Sequence, residues 1–306
     1  MSPPLDVRFP TTHTQAVWGE RRAGGTDVMD RLRHGRVTAP HLVDLRDVAG
    51  LAAIEVLPDG GLRIGAGVTL QALADDPRIR AGWPALAATA GGLGNPQIRR
   101  MATLGGNLLQ RTRCAWFRSR DFQCHKSGGT GCPAVGGDHH WNSIFGPGPC
   151  VAPHPSTVAL ALLCSDARVE VTERGAVDVA ALYGDGQHPD REHTVTDDQL
   201  VVAVVLPPPP TAARAGWFRA ASRARAEWPL VEAVIRLAPG ATRVAVGGVA
   251  PVPLRLPAVE AALEAGDRAG ALARAADGAS TNPASDYKRA LLSRTLQTLL
   301  ERLESP

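Results

Sequence analysis

Ala102-Thr103-Leu104-Gly105-Gly106-Asn107 opens the stretch whose reading decides the fold, and that stretch runs on to Cys150. Its first six residues make a glycine turn, where a backbone without side chains lets a dinucleotide phosphate or ribityl chain come close. The rest holds four of the five cysteines, Cys114, Cys124, Cys132 and Cys150. Between them stand Gly128, Gly129, Gly131, Gly136, Gly137, Gly146 and Gly148, with Pro133, Pro147 and Pro149. So many breakers predict a long loop, and a long loop inside a folded domain has to be tied down. Four thiols supply a tie. The stretch reads as a dinucleotide turn running straight into a metal-cluster loop.

The spacing C-x9-C-x7-C-x17-C lacks the C-x2-C pairs of a zinc ribbon. On spacing alone an iron–sulfur cluster, a zinc ion, a pair of disulfides and unrelated free thiols all stay open. His125, His139 and His140 share the loop and read as solvated residues in preference to ligands. His154 reads as a helix-entry or cofactor-neighbour residue. Cys164 ends the apolar run Ala159-Leu160-Ala161-Leu162-Leu163 and reads as a buried small hydrophobe.

Working outward, Ala23-Gly24-Gly25-Thr26-Asp27 is another glycine turn, the first in chain order, followed by Val28 to Arg33, which can open a helix. Strand patterns at 42–45 and 62–67 complete a β-turn-α-β order suited to a small α/β unit. Helices are expected near 69–73 and 84–90, and after His154-Pro155-Ser156-Thr157. Strands are expected at 168–171 and 200–206. Pro207 to Pro210 then interrupt the chain, and four consecutive prolines favour a stiff extended linker. Beyond it, strands at 216–219, 230–237 and 243–249 and helices at 259–272 and 286–303 predict an α+β unit with helices on one face of an antiparallel sheet. The expected domains are 1–206, containing the cysteine loop 110–150, a linker at 207–211, and 212–306.

At 306 residues two domains are expected. The chain has 44% hydrophobic and 21% charged residues and a net charge of +3, ordinary for a soluble protein. Lys126 and Lys288 are its only lysines and the arginines are scattered, so no nucleic-acid groove is expected. No apolar run reaches the roughly 18 residues of a membrane span. Met1 to Thr14 has no charged segment leading into an apolar core, so a cytoplasmic location is expected, with export only alongside a partner.

Taken in order, Ala23-Gly24-Gly25-Thr26-Asp27, Pro96-Gln97-Ile98-Arg99, Ala102 to Asn107, Gly247-Gly248-Val249-Ala250-Pro251 and Tyr287-Lys288-Arg289 resemble the FAD-binding medium subunit of the molybdenum hydroxylases. That group includes xanthine dehydrogenase, carbon monoxide dehydrogenase and aldehyde oxidoreductase enzymes. The resemblance implies an α/β plus α+β fold, with a two-subdomain FAD-binding domain of the PCMH type and a small C-terminal domain of antiparallel sheet and helices. It implies cofactor contacts from Ala23, Gly24, Gly25, Thr26, Asp27, Thr103, Gly105, Gly106, Asn107, Thr157 and Arg219. Gln110-Arg111-Thr112-Arg113-Cys114 with the later cysteines resembles the aldehyde oxidoreductase branch. There Cys114, Cys124, Cys132 and Cys150 would ligate an extra [4Fe-4S] cluster.

Two positions depart from that family. Thr157 stands where relatives commonly have aspartate, and Arg219 where many have lysine, so a carboxylate is missing and a point donor becomes a planar fork. No nucleophile–base set such as G-x-S-x-G is present. The resemblance therefore implies an electron-transfer subunit, working with a 2Fe-2S subunit, a large molybdopterin-binding subunit and a small-molecule electron acceptor. A self-sufficient flavin oxidase, a xanthine dehydrogenase-type subunit and an iron–sulfur scaffold without FAD are the alternatives.

Overall fold

The computed structural model describes residues 6–137, 140–146, 148–224, 226–280 and 283–305. Strands β1 (Asp6–Arg8), β2 (Glu20–Arg22) and β3 (His41–Asp44) form a parallel sheet in the order β1-β3-β2. Helix α1 (Val28–Arg33) crosses from β2 to β3 behind the first glycine turn. A parallel pair needs such a crossover, so a β-turn-α-β unit is present at 20–44, while the strand expected at 62–67 belongs to a different sheet.

A second, antiparallel sheet has the order β4-β5-β8-β6-β7. It contains β4 (Ile54–Val56), β5 (Leu62–Gly65), β6 (Arg168–Val171), β7 (Gly175–Asp178) and β8 (Val201–Leu206). Between β5 and β6 the chain makes α2 (Leu70–Asp75), α3 (Pro77–Gly82), α4 (Pro84–Gly92), α5 (Pro96–Met101), α6 (Leu104–Leu108), α7 (Ala115–Arg118) and α8 (Thr157–Cys164). Helix α9 (Val179–Tyr183) follows β7. Proline or a capping side chain starts most of these short helices. Thr69, Asp76, Asn95, Thr103 and Ser156 each accept a backbone N–H of the first turn.

Beyond the prolines lie β9 (Arg214–Ala220), β10 (Val231–Leu237), β11 (Arg243–Gly247) and β12 (Leu254–Arg255), an antiparallel sheet in the order β12-β11-β10-β9. Helices α10 (Pro257–Glu264), α11 (Arg268–Ala273) and α12 (Tyr287–Glu304) follow. The single helix expected over 259–272 is two. Gly266 takes φ +75° after α10, and Asp267 caps the new helix by accepting Gly270 N–H at 2.7 Å.

Helix α8 joins the halves. All eight of its residues are buried, which marks a helix apolar on every side as a core element. It packs on α4 on one side and on β10 and β11 on the other. Val234 and Ala245 thereby belong to the same apolar core as the second sheet.

Candidate functional site

The two glycine turns, about 80 residues apart in sequence, touch. A Cβ added to Gly24 would collide with the Met101 carbonyl, and one added to Gly106 would lie 3.8 Å from Ala23 Cβ. They differ in what their backbones offer. In the second turn every early N–H of α6 is already bonded. Leu104 donates to Val68 O and Gly105 to Ala66 O, both at 2.8 Å, Gly106 to Thr103 Oγ1 at 3.1 Å, and Asn107 to Thr103 O at 2.9 Å. In the first turn the N–H groups of Gly24, Gly25 and Thr26 have no acceptor among the described residues. The unpaired backbone donors of the two turns are therefore those of 24–26 among the described residues. The two glycines of the second turn differ in what surrounds them: Gly105 is buried and packed on the protein itself. Its missing side chain makes room for Ala66, whose Cβ would be 2.9 Å away, while Gly106 is the exposed member of the pair.

Asp27 and Asn107 are both engaged inside the protein. The Asp27 carboxylate accepts from Arg31 Nε at 2.8 Å and Arg118 Nη2 at 2.7 Å, with Arg113 Nη2 at 3.1 Å. Burial works to raise its pKa, but Arg113, Arg118 and Arg31 hold it below the usual carboxylate range. Asn107 Oδ1 accepts the Ser156 hydroxyl at 2.8 Å, which ties α6 to the start of α8.

The cysteine loop leaves this arginine cluster directly. Arg118 of α7 donates to Thr112 O at 2.9 Å and to Asp30 at 2.8 Å, and Arg36 donates to the carbonyls of Phe117, Ser119 and Phe122. The far end is tied to the C-terminal part. Ile144 and Phe145 donate to Val249 O, Tyr287 donates to His140 O, and Lys288 Nζ donates to Trp141 O at 3.1 Å and Gly248 O at 2.7 Å. Lys288 is fully buried, and burial pushes its amine down to about 7.

Between these tethers Cys114, Cys124, Cys132 and Cys150 line one small cavity, with His125 and Lys126 on its wall. All five cysteines are free thiols. Cys132 and Cys150 share a hydrogen bond that lowers the pKa of the first thiol and raises that of the second. Among the described residues no three His, Cys, Asp or Glu side chains are placed around one metal ion. A four-iron cluster asks for something else, one thiolate for each iron around a common space. His139 lies outside the described residues, and His140 stacks on Tyr287 at 4.8 Å. Cys164 is buried on α8, where burial pushes it up to about 12.

Residues 22–209 match the family model described as "FAD binding domain in molybdopterin dehydrogenase". The chain belongs to the FAD-binding subunits of the molybdenum hydroxylases. It is 37% identical over 257 residues to the aldehyde oxidoreductase FAD-binding subunit PaoB of Escherichia coli K12, covering 81% of this chain and 80% of that one. Its fold is similar to a chain of the carbon monoxide dehydrogenase from Hydrogenophaga pseudoflava, at 18% identity, a TM-score of 0.75 and coverage of 99% and 98%. It is also similar to a chain of quinoline 2-oxidoreductase from Pseudomonas putida 86, at 19% identity, a TM-score of 0.72 and coverage of 98% and 97%. The expected PCMH-type architecture, with antiparallel sheets and helices, is the one found. Among the described residues, no helix of this FAD-binding subunit is long and apolar enough to cross a membrane.

Thr157 and Arg219 do come together, with a third residue that sequence reasoning missed. Glu232 of β10 accepts Thr157 Oγ1 at 2.8 Å and Arg219 Nη2 at 3.2 Å. The Arg219 charge expected beside the flavin is therefore paired with a carboxylate. A glutamate inside Val231 to Leu237, the most apolar strand of its sheet, was the available signal. His154 was placed only as a neighbour. Its Nδ1 accepts Ser156 N–H at 3.2 Å, its ring meets Tyr183 edge-on at 4.5 Å, and burial holds it neutral, down to about 3. It lines a pocket of about 650 Å³ with Arg113, Cys114, Trp116, Trp141 and Trp228, next to the cysteine cavity.

Proposed function

We propose that this FAD-binding subunit carries electrons within a heterotrimeric molybdenum hydroxylase of the aldehyde oxidoreductase type, and that it holds a [4Fe-4S] cluster besides FAD. The observation that carries the cluster is the shared cavity of Cys114, Cys124, Cys132 and Cys150. The similarity to known proteins carries FAD; the cluster rests on these cysteines alone. The expected domain division at 207–211 is kept as part of the proposal, supported by the position of Pro207 to Pro210 between β8 and β9.

Bound FAD and the cluster would supply the redox chemistry, and the protein supplies binding, orientation and electrostatics. The free N–H groups of Gly24, Gly25 and Thr26 suit the FAD phosphates, with exposed Gly106 beside them. Asp27 positions the first turn and the start of the cysteine loop through the same arginines, and does not itself face the cofactor. Thr157 and Arg219 are proposed at the flavin end of the site. Substrate oxidation would occur on a molybdopterin partner, with a 2Fe-2S subunit between the two and a small-molecule acceptor taking the electrons.

The test is the full chain expressed alone and with the two partner subunits. Alone it should release FAD on denaturation, contain about four iron and four labile sulfide per chain, and fail to oxidise an aromatic aldehyde. Co-expression should restore turnover and co-purify all three. Sustained aldehyde oxidation by the isolated chain would promote the self-sufficient oxidase. Stoichiometric zinc without sulfide would replace the cluster.

A further inference from the structure

Glu232, Arg219, Thr157 and Trp217 make one buried polar cluster. Thr157 donates its hydroxyl to Glu232 Oε1 at 2.8 Å and accepts from Arg219 Nη2 at 2.9 Å. Glu232 Oε2 also accepts from Arg219 Nε at 3.3 Å and from Trp217 Nε1 at 3.2 Å. The Arg219 guanidinium lies 4.9 Å over the Trp217 ring. The side chains of Arg219 and Glu232 are only 6% and 2% exposed.

Sheet register makes this arrangement a single row. Glu232 pairs with Arg219 on β9 and with Gly247 on β11. Gly247 leaves the gap that the carboxylate fills, since a Cβ there would lie 3.0 Å from Glu232 Oε1 and 2.9 Å from Leu160 Cδ1. The nearest neighbours of Glu232 along the strand, Val231, Ala233, Val234 and Ile235, are apolar and fully buried. An apolar residue would pack there without the cost of taking a charged pair out of water. A requirement beyond packing is the simplest reason for a glutamate.

We propose that Glu232 is a positioning residue for FAD: it orients Arg219 and Thr157 and supplies, from the opposite strand, the carboxylate that the start of α8 lacks. The inference rests on the placement of Thr157 and Arg219 at the cofactor. Arg219 and Glu232 together contribute a compensated charge pair. Removing the carboxylate exposes a positive charge, which favours the electron-rich reduced flavin and raises its potential.

Thr157 Oγ1 and Glu232 Oε1 are 2.8 Å apart, so a carboxylate can be moved across that gap. The experiment compares Thr157→Asp, Glu232→Gln and the double variant, each as the full chain, by FAD content, flavin midpoint potential, iron content and thermal melting. Glu232→Gln should weaken FAD retention roughly tenfold, the scale of a lost hydrogen bond to a charged group, and shift the potential upward. Thr157→Asp should also weaken retention, by placing two carboxylates side by side. The double variant should recover most of both losses. Additive damage in the double variant, with iron content intact, would overturn the inference. So would wild-type FAD content and potential in all three variants with only melting lowered, which would make the cluster a structural core pair. Failure of the unaltered chain to bind FAD would instead remove the functional reading beneath it.

Discussion

The glycine turns and the cysteine loop are neighbours joined through Asp27, yet they are held in opposite ways. The second turn is closed by backbone hydrogen bonds and the Thr103 cap, and glycines of both turns pack closely on backbone or Cβ atoms, Gly24 on Met101 and Gly105 on Ala66. Among the described residues, the loop between 111 and 150 contains only α7 and two short 3₁₀ turns, and it is held mainly by long side chains, most from other parts of the chain and one, Arg118, from its own α7. Arg36 and Arg118 grip its first part, and Tyr287 and Lys288 its last. A segment held from outside keeps its shape only while its anchors hold. The turns should therefore survive loss of the proposed cluster, and the proposed cluster should not survive loss of the anchors.

The largest effect comes from attacking the loop at its centre. Cys150→Ala should abolish the cluster, read as loss of iron and labile sulfide, while FAD content stays close to wild type. Equal loss of FAD would show that the two regions form one cooperative unit.

Arg118→Met attacks the joint between the regions. Arg118 donates to Thr112 O, Asp27 and Asp30 at once, and removing one partner of a buried charge network costs about 3–5 kcal/mol. Both iron and FAD should fall, with a lowered denaturation midpoint. An effect confined to iron would mean that Asp27 holds the first turn without help from the loop.

The second turn can then be divided internally. Gly105→Ala presses on Ala66 and should cost about 1–3 kcal/mol of stability. Gly106→Ala is on the exposed side and should lower FAD affinity with a smaller change in melting. The reverse order would place the cofactor on the Ala66 side.

The last effect shows only as a function of pH, a slope from Lys288. Its amine ionises near 7 in the folded protein against about 10.4 unfolded. Between those values the unfolded chain binds the extra proton, so stability rises with pH, by at most about 1.4 kcal/mol per unit. Below 7 both states are protonated and the slope vanishes. Lys288→Met should remove the slope between pH 7 and 10, measured by denaturant unfolding relative to the unaltered chain. An unchanged slope would mean that the amine stays charged against the Trp141 and Gly248 carbonyls.

Much of this was legible in the residues. The alternation of apolar positions placed β6 at 168–171 and β8 close to 200–206, and local capping chemistry placed α8 behind Ser156. The order of the glycine motifs identified the FAD-binding family, and the shared loop of the four cysteines anticipated that they would line one cavity. These are local signals, carried by spacing and backbone preference within a few residues. The tertiary structure decided which partner each polar group would meet. Gly105 faces Ala66 while Gly106 faces outward, because α6 docks its first turn onto the backbone of 66–68. Asp27 serves three arginines, two of them about 90 residues away. Glu232 meets Arg219 only because β9 and β10 pair in one register, and a shift of one residue would turn it to the other face of the sheet. A carboxylate's role is set by the charges packed against it, and no window of sequence around Glu232 contains them.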